Sequence, residues 1–85
     1  MEMAESSGKD RAWLLLKVAP TTEKGIVDQV RDMEFIEEAS VVYGKYDIIA
    51  KAAIPNIADF DNAVVKKIRA MPGVESTLTL VSTKV

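Results

Sequence analysis

Eighty-five residues without a cysteine or a histidine leave room for one compact domain and exclude a disulfide framework, a thiolate metal site and imidazole acid–base chemistry. Thirteen acidic against eleven basic side chains give a net charge of −2, which opposes binding to a phosphate backbone, because that needs a concentrated surplus of Lys and Arg. A metal site would have to be built from carboxylates alone, so a protein that binds rather than catalyses is expected, with no cofactor and no metal.

Residues 1–11 (MEMAESSGKDR) mix charges, serines and a glycine without periodicity and read as a disordered lead-in, with residues 12–85 forming one ligand-binding and oligomerisation domain. The lead-in carries acids, unlike a signal peptide, and the longest apolar run, Ala12 to Leu16, falls far short of a membrane span. A cytoplasmic protein is expected. AWLLLKVAP is too short for a helix and apolar on both alternating sets, so it reads as a strand with both faces covered, stopped by Pro20.

Thr21-Thr22-Glu23 offers a threonine cap and a first-turn acid, and Ile26, Val27, Val30 and Met33 follow at helical spacing, which predicts a helix over roughly 22–33. Ile36 to Tyr43 and the IIAKAAI segment before Pro55 are strand-like and meet at Gly44-Lys45-Tyr46-Asp47, a hairpin. A second helical stripe, Ile57, Phe60, Val64, Ile68 and Met71, opens at Asn56 and Asp59 and closes at Pro72-Gly73. Thr-rich Val74 to Val85 ends the chain as a strand.

The order β-α-β-β-α-β in so short a chain gives an α+β, ferredoxin-like fold: a four-stranded antiparallel sheet with both helices on one face. The other face then decides whether a partner exists. Simple alternation sends Leu14, Leu16 and Val18, with Ile48, Ala50, Ala52 and Ile54, toward the helices, and it turns Trp13, Leu15, Lys17, Asp47, Ile49 and Lys51 outward. Counted the same way from Val74, the last strand puts Leu78 and Leu80 inward and Thr77, Thr79, Val81 and Thr83 outward. An open face holding Trp13, Leu15, Ile49 and Val81 is apolar enough to form a dimer interface, although threonine's strand propensity alone also accounts for a solvated Thr-rich face.

At the hairpin, Gly44 permits a close backbone approach and Asp47 supplies an acceptor for a ligand ammonium; ordinary turn chemistry explains the same residues. Glu37-Glu38 reads as a solvated edge and Lys66-Lys67 with Arg69 as a solvated helical face.

VVYGKYDIIAKA (41–52) and KIRAMPGVESTLTLV (67–81) resemble the effector-binding (RAM) domain of the Lrp/AsnC, leucine-responsive and asparagine-responsive, regulator family. The likeness covers residues 12–84 and rests on the G-x-Y-D hairpin and on the P-G-V-x-x-T-x-T ending. It implies a fold that pairs through its sheets into dimers, with octameric or decameric rings built from them, and amino-acid effectors held between subunits. The implied ligand-binding residues are Gly44, Tyr46, Asp47, Thr77 and Thr79. The segment before the domain is too short for the family's helix-turn-helix, so the chain is similar to stand-alone members, without direct DNA binding. Co-assembly with a full-length regulator follows as an expectation.

Three other folds of this order and one ligand-free reading compete. An RNA-recognition fold would need stacking aromatics, for which Trp13 and Tyr46 are the candidates, and the acidic balance opposes it. An acylphosphatase-like enzyme would need an arginine after the first strand, where this chain has Ala19-Pro20-Thr21-Thr22. An ACT-type regulatory domain would place a glycine near the first strand–helix loop, and a ligand-free oligomerisation module would leave the hairpin without a function.

Overall fold

The computed structural model describes residues 10–82, so the reading of residues 1–9 as a lead-in and of Thr83 as outward-facing lies outside the described residues. Strands β1 (Asp10–Val18), β2 (Ile36–Val41), β3 (Ile48–Ile54) and β4 (Val74–Val81) form an antiparallel sheet in the order β2-β3-β1-β4. Helix α1 (Glu23–Arg31) joins β1 to β2. Helix α2 joins β3 to β4 as Ile57–Phe60, a π-helical segment Asp61–Val65, and Lys66–Arg69 without a break. This is the expected α+β, ferredoxin-like plan. Among the described residues no helix is long and apolar enough to cross a membrane.

The core lies between the helices and one sheet face. Leu14, Leu16, Ile48, Ala50, Ala52 and Ile54 pack there against Ile26, Val27 and Val30 of α1 and Phe60, Val64, Val65 and Ile68 of α2. No polar side chain among the described residues is fully buried, so the core is stabilised by apolar burial, at roughly 25 cal/mol per Å² removed from water.

β1 begins at Asp10, inside the segment read as a lead-in, because Asp10 and Arg11 continue the ladder opposite Ile54 and Ala53. Thr22 does not cap α1: its hydroxyl donates to the carbonyl of Ala19 at 2.6 Å, which tightens the turn after β1. Asn56 does cap α2. Its Oδ1 accepts from the N–H of Asp59 at 2.8 Å while its Nδ2 donates to the Asp59 carboxylate at 2.8 Å.

The last strand departs from simple alternation. Lys17 pairs with Ser76 and Val18 with Val74, so Glu75 is an extra residue, a β-bulge. Because side chains alternate with period two, one extra residue exchanges the faces of everything after it. Thr77, Thr79 and Val81 therefore lie opposite Leu16, Leu14 and Ala12, on the helix side, and Val81 packs against the core. Leu78 and Leu80 lie opposite Leu15 and Trp13, on the open face. The expected outward placement of Thr77, Thr79 and Val81 is thus reversed. Trp13, Leu15 and Ile49 stand on the open face as expected, half-buried.

Candidate functional site

β3 emerges from the hairpin through Asp47, whose backbone joins three strands: its N–H donates to the carbonyl of Leu16 at 2.8 Å and its carbonyl accepts from Val42 at 2.9 Å. The side chain continues the same task, since Oδ2 accepts the N–H of Val18 at 2.9 Å. That N–H sits where the β1 register shifts, so the carboxylate satisfies a donor that the regular ladder leaves without a partner. Asp47 is half-buried, and Oδ1 keeps its accepting capacity.

Gly44 has φ of +124° and open space where a Cβ would stand; the backbone conformation, not crowding, requires glycine there. Among the described residues the N–H groups of Tyr43, Gly44, Lys45 and Tyr46 meet no protein acceptor. Consecutive free N–H groups in a turn form a concavity that favours an anion such as a carboxylate.

Beside this turn lies a half-open cleft of about 540 Å³, lined by Glu23, Val41, Val42, Tyr43 and Asp47. Its volume falls in the range of small-molecule sites. Glu23 comes from the first turn of α1, Val41 from the end of β2, and Val42, Tyr43 and Asp47 from the connection to β3. Tyr43 is fully exposed and Val41 is 51% exposed, so an apolar wall stands in water next to carboxylates and free N–H groups. The sequence reading missed Glu23, Val41, Val42 and Tyr43. Valine and glutamate at a strand end and a helix start carry no local signal, and their convergence is a property of the fold.

Of the residues singled out from the sequence, Gly44, Tyr46 and Asp47 share the turn, but of the three only Asp47 lines the cleft, and Tyr46 is half-buried. Thr77 and Thr79 lie elsewhere. Thr77 stands opposite Leu16 on the far side of β1 from Asp47, about two strand spacings or roughly 10 Å away. Its hydroxyl accepts from Arg69 Nε at 3.2 Å across the last turn of α2. Thr79, farther along the edge strand, is exposed.

On the other side of the sheet, Trp13, Leu15, Ile49, Leu78 and Leu80 form a continuous apolar surface across β3, β1 and β4. Leu78 and Leu80 are 39% and 50% exposed. Glu38 faces Lys51 at its β2 border, and Arg11 pairs with Glu37 at 3.2 Å. Lys66, Lys67 and Arg69 are exposed on α2 as expected.

Comparison with known proteins gives the family of the chain. The family model for the Lrp/AsnC ligand binding domain matches residues 11–85. An uncharacterized HTH-type transcriptional regulator of Pyrococcus furiosus is 30% identical over 74 residues, 84% of this chain and 49% of that protein. The chain thus spans about half the length of the curated relatives it matches. A hypothetical protein from Pyrococcus horikoshii has a similar structure, with a TM-score of 0.79, 32% identity and coverage of 89% of this chain and 92% of that one. A Neisseria meningitidis transcriptional regulator, solved as a complex with L-Met, shares the fold at a TM-score of 0.75 and 14% identity, over 88% of this chain and 50% of that one. With its βαββαβ order, its glycine–aspartate turn and a family match over nearly its whole length, the chain belongs to the Lrp/AsnC ligand binding domain family.

Proposed function

We propose that this chain is an amino-acid sensor: it binds a free amino acid at the turn between β2 and β3 and forms a two-fold dimer through the open face of its sheet. The observation that carries the reading is the composition of the turn. Asp47 Oδ1 offers an acceptor for an α-ammonium, the N–H groups of Tyr43 to Tyr46 offer donors for an α-carboxylate, and Val41 and Val42 offer an apolar wall for a side chain. An α-amino acid carries both charges on one carbon and needs donors and acceptors at such close quarters. The L-Met complex of the Neisseria meningitidis fold relative agrees with that ligand class.

The dimer has its own support. Five large apolar side chains on one sheet face, two of them leucines exposed by 39% and 50%, form a patch of a kind that soluble proteins usually cover with a partner. Thr77 and Thr79 are separated from Asp47 within one chain by β1, so they join the site only if a second copy brings them there. Assembly of dimers into octameric or decameric rings, modulation of a full-length regulator of the same family, and a cytoplasmic setting without catalysis belong to the same proposal. The second reading, a ligand-free oligomerisation module, draws on the apolar face alone. Calorimetry against the twenty standard amino acids, paired with native mass measurement, separates the two: a sensor gives saturable heat with at least one amino acid and a mass of two chains or more, whereas the module gives the mass without the heat.

A further inference from the structure

The cleft beside Asp47 holds more negative charge than an α-ammonium needs. Glu23 and Asp47 both line it, its other lining residues are Val41, Val42 and Tyr43, and no Lys or Arg is among them. Among the described residues neither carboxylate belongs to an ion pair. Asp47 has a structural partner in the N–H of Val18; among the described residues no hydrogen bond marks one for the Glu23 carboxylate. The positive end of α1 lies under Glu23 and is equivalent to roughly half a charge, so the cleft keeps a net negative charge. The rest of the lining is two valines and the exposed ring of Tyr43, surfaces suited to an aliphatic chain and to a cation over an aromatic face.

Resting on the amino-acid reading given above, we propose that Glu23 is a specificity-determining residue, which makes the cleft select an amino acid with an aliphatic side chain ending in a cation, of the lysine or ornithine class. The α-ammonium takes Asp47 Oδ1, the α-carboxylate takes the free N–H groups of the turn, the methylenes lie on Val41 and Val42, and the terminal ammonium reaches Glu23. A neutral side chain leaves the Glu23 charge unmatched in a partly enclosed space, and an acidic one adds repulsion.

The test is calorimetric titration of the whole chain with L-lysine, L-leucine and L-glutamate at low and at physiological salt, with Glu23→Gln and Glu23→Lys alongside the parent. Glu23 is half-exposed at a helix start, so both variants fold, and circular dichroism checks this. The expected result is L-lysine bound at least about tenfold more tightly than L-leucine, a preference that salt reduces. Glu23→Gln is expected to remove the preference while L-leucine affinity stays within about twofold, and Glu23→Lys to favour L-glutamate, as charge complementarity requires. L-leucine bound as tightly as L-lysine, or a preference unchanged in Glu23→Gln, overturns the assignment of Glu23 and leaves the amino-acid reading standing. Absence of heat with these three, and with the other seventeen standard amino acids titrated in the same way, overturns both.

Discussion

Replacing Leu78 and Leu80 together by threonine converts the outer strand of the open face into the surface that simple alternation predicts from the sequence, while keeping residues that favour strands. Full burial of a leucine is worth roughly 2 kcal/mol. With exposures of 39% and 50% in the single chain, covering the remainder contributes about 0.8 and about 1 kcal/mol per chain, and two-fold symmetry doubles the sum to about 3.5 kcal/mol per dimer. Threonine keeps one methyl but brings a hydroxyl that the contact must desolvate, so the loss comes to about 3 kcal/mol, or roughly a hundredfold in the dimer Kd. Sedimentation or light scattering over a dilution series reads that shift directly, and circular dichroism verifies that the chain stays folded. The paired control is Thr77→Val with Thr79→Val: these side chains lie on the helix side, so the dimer constant is expected to stay within about threefold, a change of less than about 0.7 kcal/mol. A Leu78→Thr/Leu80→Thr dimer as tight as the parent, or one that the threonine control weakens instead, would falsify the assignment of the sheet face and of the bulge that sets it.

Three further outcomes are expected. Gly73 has φ of +97°, and a Cβ there would meet the Thr22 side chain at 3.2 Å and Ile26 Cδ1 at 3.3 Å, so Gly73→Ala should destabilise the fold by about 2–3 kcal/mol in urea unfolding. Gly44→Ala meets nothing within 4 Å and should cost about 1 kcal/mol; equal costs at the two sites would contradict the contact argument. Asp47→Ala leaves the part-buried N–H of Val18 without its acceptor and should cost about 1–2 kcal/mol. Asp47→Asn, which retains a carbonyl oxygen, should recover most of that stability yet not the affinity for an amino acid, so recovery of both would show that the carboxylate charge has no part in binding. The hydrogen bond from Lys24 holds the Asp28 carboxyl below its ordinary value of 3.8; desolvation opposes it, and the nearby charges of Lys24 and Arg31 add to the lowering. A carboxyl depressed in the folded state adds stability above its unfolded value and loses it as pH falls through the folded one, so Asp28→Asn should lower thermal stability slightly at pH 7 and not at pH 2.

Much of the fold is legible along the chain because its signals are local. Pro20 and Pro55 stop strands, the Ile26–Val27–Val30 spacing marks α1, and Asn56 with Asp59 forms the cap that opens α2. Where the reading fails, the deciding interaction is not local. Glu75 becomes a bulge only because β4 must pair with Val18 and Lys17 of β1, and the alternation Thr-Leu-Thr-Leu fits either face until that register exists. Hydrophobicity alone sends Leu78 and Leu80 inward, yet the last turn of α2 reaches only the start of the edge strand, where Arg69 meets Thr77, and the helix side of Thr79 stays in water. Thr22 could have capped α1 but turns to Ala19, a choice between two hydrogen bonds that composition does not reveal. The site divides in the same manner. Gly44 and Asp47 stand three residues apart in one turn and could be read together, whereas Glu23 reaches the cleft from another element.

The central claim is that the β2–β3 turn holds an amino acid, and amide-resolved NMR during titration tests it most directly. A saturable change that includes the amides of Tyr43 to Asp47 and of Val18, whose N–H reports on the Asp47 carboxylate, is the predicted result with at least one of the twenty standard amino acids. Saturable changes that leave those amides untouched, or no change with any amino acid at millimolar concentration, would contradict it.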